Sequence, residues 1–109
     1  MKTKLIESTT LAGLYDMDAT IAIVDHPTHG RLLLCDGFGG MDEPRGGMYR
    51  WEHGVVCQLH PDDTLADLEA DWNDFTTIRE AVITGHDDSR PILEWTGSQV
   101  AALAKSAGL

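Results

Sequence analysis

The chain has 109 residues, the size of one small domain with a modest but sufficient core. Eighteen acids against eight bases leave a net charge of -10, which excludes direct charge-driven binding to nucleic acid or to an anionic membrane. No apolar run approaches the roughly 18 residues that a membrane span needs, and the basic start MKTKLIEST meets Glu7, Ser8, Thr9 and Thr10 instead of the apolar region of a secretory signal.

A cytoplasmic protein is therefore expected, with Cys35 and Cys57 as reduced thiols that pack in the apolar stretches LLLC and GVVC. Residues 3–11 predict a first strand. The continuous apolar run ATIAIVD at 19–25 predicts a well-buried strand. HPTHG at 26–30 is a tight turn, and RLLLCD at 31–36 is the return strand of a β-hairpin. Leu32, Leu33 and Leu34 are all apolar, so alternation does not decide which of them points inward. In YRWEHGVVCQLH, at 49–60, alternation predicts a half-buried strand with Tyr49, Trp51, His53, Val55, Cys57 and Leu59 inward. His53 then reads as a hydrogen-bonded core histidine rather than a base.

Beyond His60 the period changes. PDDTLADLEADW places Pro61 and two Asp at a helix start. Leu65, Leu68, Trp72 and Phe75 form one apolar helical face. Thr77 and Glu80 match a capping box that opens a second helix, with Ile78 and Val82 facing the sheet and Gly85 ending it. ILEWT at 92–96 predicts a short last strand, and Thr96 and Gln99 cap a final helix over VAALAKSA. These elements make one α+β domain over residues 1–109. Its antiparallel sheet of four to five strands carries two or three helices packed on one face.

The segment GFGGMDEPRGGMYRW joins two strands. A phosphate-binding loop would instead join a strand to a helix and usually carry a Lys. Asp36, Asp42 and Glu43 would also repel a phosphate. A protein-binding tip fits better, with Met41 and Met48 offering apolar surface and Arg45 and Arg50 reaching carboxylates or rings. A mere connector is the plain alternative. His26-x-x-His29 and Cys57-x-x-His60 have short ligand spacings that invite a zinc reading. Strand parity opposes it, because Cys57 and His60 fall on opposite faces. No cofactor is expected, no nucleophile elbow or metalloprotease signature is present, and no reaction is indicated.

Residues 61–88 hold nine of the eighteen acids and a single base, Arg79. Asp63, Asp67, Asp71 and Asp74 recur at spacings of four, four and three, opposite the apolar stripe. Asp62 and Glu69 widen the patch. A row of like charges costs helix stability. A partner with a basic groove gives that cost a purpose, whereas a solvated face is the simpler reading. Small size, acidity, the Asp row and the absence of catalytic motifs resemble a functional class, the small phage-encoded inhibitors that include anti-CRISPR proteins and DNA mimics. That resemblance is of type, without a shared motif. It implies a non-enzymatic inhibitor that occupies a basic nucleic-acid-binding site on a protein partner, such as a bacterial defence complex. The competing expectations are a structural or assembly subunit, including a homodimer, that binds through apolar surface and the glycine-rich loop, and a small metal-dependent enzyme.

Overall fold

The computed structural model of the chain describes residues 2–11, 19–35, 51–52, 54–72 and 89–109. Five strands, β1 Lys4–Leu11, β2 Ala19–His26, β3 Gly30–Cys35, β4 Val55–Gln58 and β5 Ile92–Leu93, form one sheet in the order of the chain. Every neighbouring pair is antiparallel. Two helices are described, α1 Leu65–Trp72 between β4 and β5 and α2 Gly97–Ser106 after β5. The α+β class with a five-stranded antiparallel sheet agrees with the sequence pattern.

The position of the helices does not. Ile21, Ile23, Leu33, Cys35 and Cys57 gather on one face of the sheet with Leu68 of α1, and Leu65 packs beside them. Val24, Leu32, Leu34 and Val56 gather on the other face with Val100, Ala101, Leu103 and Ala104 of α2. The sheet is thus the middle of three layers, with one described helix on each side. The expectation of helices on a single face is corrected, and the physical reason lies in the strands. Successive side chains point to opposite faces, so the unbroken runs IAIV and LLLC require apolar cover on both sides. Leu68, fully buried, contributes about 1.5–3 kcal/mol to that cover.

The turn that joins β2 to β3 is held by a side chain. His26 Nδ1 accepts from the backbone N–H groups of Thr28 at 3.0 Å and His29 at 3.1 Å. Gly30 then closes the turn at φ 75°, a conformation that a side chain would strain. The strand expected over 49–60 is much shorter. It spans Val55–Gln58, and a turn bond of 2.9 Å from Gly54 N to Trp51 O precedes it. Trp51 is buried as expected, but it packs with Val56 on the α2 face, whereas Cys57 faces α1. His53 lies outside the described residues, as do Phe75, Ile78, Val82 and the proposed cap at Thr77 and Glu80.

The helix starts differ from each other in origin. α1 begins at Leu65, not at Pro61, because His60–Asp63 forms a turn closed by Asp63 N donating to His60 O at 3.0 Å. Thr64 and Asp67 then exchange bonds, Thr64 N to Asp67 Oδ2 at 3.0 Å and Asp67 N to Thr64 Oγ1 at 3.2 Å. A third partner comes from β1, where Glu7 Oε2 accepts from Leu65 N at 3.0 Å. At α2 the expected capping box of Thr96 and Gln99 is present in both directions. Gly97 opens that helix because a Cβ there would overlap the backbone carbonyl of Glu52.

Candidate functional site

The acidic segment contains a buried anchor. Asp63 and Arg90 are each about 5% exposed and meet in a two-pronged pair, Arg90 Nε to Asp63 Oδ2 at 2.8 Å and Arg90 Nη2 to Oδ1 at 2.9 Å. His60 N donates to Asp63 Oδ2 at 2.8 Å. Arg31 Nη1 donates to the Asp63 backbone oxygen at 2.8 Å, while its Nε donates to Asp25 Oδ1 at 2.9 Å. One carboxylate therefore ties the turn before α1 to the segment before β5, and Arg31 ties that turn to β3. The hydrogen bonds from Arg90 hold the Asp63 carboxyl below the ordinary 3.8, against the opposing effect of burial. Those from Arg31 do the same for Asp25.

This corrects the reading of Asp63 as a partner-contacting residue. Its charge is matched inside the protein because it precedes α1 in a turn folded onto Arg90. The remaining acids divide. Asp62 is exposed in that turn, and Asp67 is exposed but spends one oxygen on the Thr64 cap. Glu69 and Asp71 fall within α1. Asp74, Met41, Arg45, Met48 and Arg50 lie outside the described residues.

The four residues considered as metal ligands do not converge on one point. Along β2, His26 shares the parity of Val24 and faces α2, whereas Cys57 is fully buried on the α1 face. His60 bonds Ser89 Oγ through Nε2 at 2.8 Å, and its Nδ1 lies 3.7 Å from Asp63. Among the described residues no three His, Cys, Asp or Glu side chains converge as a metal-binding group.

His26 and His29 instead form part of a cleft at the end of the β2–β3 hairpin. Their rings lie 4.9 Å apart, and Trp95 meets both at steep angles, 71° at 6.2 Å from His26 and 68° at 5.3 Å from His29. Gln99, Leu103 and Ser106 of α2 complete a cleft of about 360 Å³. Burial, and then the neighbouring His29, lower the pKa of His26 below its ordinary 6.5. The sequence showed the His26–His29 spacing but not Trp95 or Gln99, which arrive about seventy positions later through the β4–β5 pairing and the course of α2.

The titrations set a sign for acid stability. The folded pKa values of Asp63 and Asp25 lie below 3.8, so their contribution is complete above 3.8 and is lost as pH falls through the folded values. His26 is held neutral, so its contribution is complete above 6.5 and declines as pH falls below it. The Tm is expected to fall first below pH 6.5 and more steeply below pH 3.8. A His26→Asn variant, whose side chain can still accept from the turn, should lose the first decline. A wild-type Tm that is flat from pH 7 to 4.5 would contradict the assignment to His26.

No protein-family model, curated protein or solved structure matches the chain.

Proposed function

We propose that the protein acts by binding rather than by catalysis, as an acidic module that occupies a basic nucleic-acid-binding surface on a protein partner such as a bacterial defence complex. The observation that carries this reading is the distribution of charge. Of eight bases, Arg31 is paired with the partly exposed Asp25 and Arg90 with the buried Asp63. Sixteen acids then remain against six bases, so the whole excess of ten negative charges is left to the rest of the chain. A field of that strength steers a basic partner and makes association fast and salt-sensitive.

The contact surface on this reading is Asp62, Glu69, Asp71 and Asp74, with Asp67 at its edge and the loop residues Met41, Arg45, Met48 and Arg50 adding contacts. The test is a pull-down with the tagged chain from bacterial lysate, repeated with excess DNA or RNA and with added salt. A nucleic-acid-binding complex should be captured and then displaced by both. The Asp62→Lys/Asp71→Lys double variant should lose that capture while its Tm stays within a few degrees of wild type. Asp67 is left intact because reversing it would also break the α1 cap. Capture indifferent to salt, competitor and charge reversal would sink the reading and favour an apolar assembly interface.

A further inference from the structure

The cleft on the α2 face lies on the opposite side of the sheet from α1, and the proposed acidic contact surface does not use it. Its polar atoms have a consistent sense. His26 Nδ1 accepts two backbone N–H groups, so the neutral ring carries its proton on Nε2 and presents a donor there. Gln99 Oε1 accepts from Thr96 N at 2.8 Å, which leaves its NH₂ group without a partner among the described residues. Ser106 Oγ donates to Leu103 O at 2.8 Å, so it retains acceptor capacity only. Trp95 is half-buried, and its indole adds an apolar wall to the two imidazoles.

Three ligand chemistries can be weighed against this lining. A metal ion requires a lone pair on His26, but Nδ1 is engaged and Nε2 is protonated. An anion requires a fixed positive charge, and the residues that line the cleft include no Lys or Arg in a chain of net charge -10. An uncharged planar ring with carbonyl oxygens satisfies both features of the site. One of its faces lies against Trp95, and its oxygens accept from His26 Nε2–H and the Gln99 NH₂ group. A volume of about 360 Å³ suits one small ring system.

We propose that the cleft between the β2–β3 turn and α2 binds an uncharged, carbonyl-bearing planar heterocycle of about nucleobase size, stacked on Trp95 and held by His26 and Gln99.

The experiment titrates the isotope-labelled full-length chain with uracil and with nicotinamide, following the imidazole and indole resonances of His26, His29 and Trp95 by NMR. A saturable shift of those resonances with a Kd of about 1 mM is expected for at least one of the two, as suits so small a ligand. Orotate, the carboxylated anionic form of the uracil ring, should bind about threefold or more weakly than uracil. Gln99→Glu keeps the oxygen that accepts from Thr96 and exchanges the NH₂ donor for a carboxylate oxygen. It should weaken binding about threefold to tenfold with an unchanged Tm. The proposal is overturned by no saturable shift with either ring, by tighter binding of orotate or inorganic phosphate than of uracil, or by stoichiometric Zn²⁺ binding through His26 Nε2. Undiminished affinity in Gln99→Glu would remove the donor role assigned to that residue and overturn the proposal as stated.

Discussion

Replacing Arg90 with Ala is expected to destabilise the protein by roughly 3–5 kcal/mol, the range for removing one partner of a buried ion pair. The magnitude follows from what remains. Asp63, about 5% exposed, would keep a carboxylate that water barely reaches, left among the described residues with the His60 amide, the His60 imidazole 3.7 Å away and the more distant charge of Arg31. Asp63→Asn should also destabilise the fold, because it removes the carboxylate charge that receives two hydrogen bonds from Arg90. The Asp63→Leu/Arg90→Met double variant should recover much of the loss, but not the bond from His60 N. Urea denaturation of the two single variants and the double one gives the coupling energy directly. A cost below about 1 kcal/mol for Arg90→Ala would mean that the pair is effectively solvated. The same measurement separates architecture from recognition. An Asp63 variant of normal stability that no longer bound its partner would return Asp63 to the contact surface.

How far the sequence foretold these features depended on how local each one was. The β2–β3 hairpin was legible because Pro27, Gly30 and the flanking apolar runs all act within about a dozen residues. The Thr96 and Gln99 capping box was legible for the same reason, since both halves of the bond lie within one helical turn. The start of α1 was misplaced by four residues. Pro61 and two acids suit a helix N-terminus, but a turn closed by His60 and Asp63 uses the same residue types. Asp63 was read as surface because its spacing to Asp67 fits a helix. Its partner Arg90 is 27 positions away, and no periodicity connects them. The cleft was half visible. The pair of His was noted for its spacing, but the choice between lone pair and N–H donor at His26 depends on which nitrogen the turn occupies. That is a matter of backbone geometry rather than composition.

The run Leu32–Leu33–Leu34 carries the larger lesson about layers. Alternation fails there because it assumes one wet face, and this antiparallel sheet has none at its centre. Leu33→Ala and Leu34→Ala are expected to cost about 2–5 kcal/mol each, since both side chains are essentially unexposed and touch different helices. A one-sided sheet would make one of the two substitutions nearly free. Urea denaturation of both variants decides between these architectures, and a cost below about 1 kcal/mol for either would break the three-layer arrangement. The outcome also bears on where a partner can dock. If both faces of the central strands are consumed by α1 and α2, recognition falls to the outer sides of the helices, the sheet edges and the ends of the hairpins. The exposed Asp62 and Asp67 beside the start of α1 and the cleft beside the β2–β3 turn meet that condition.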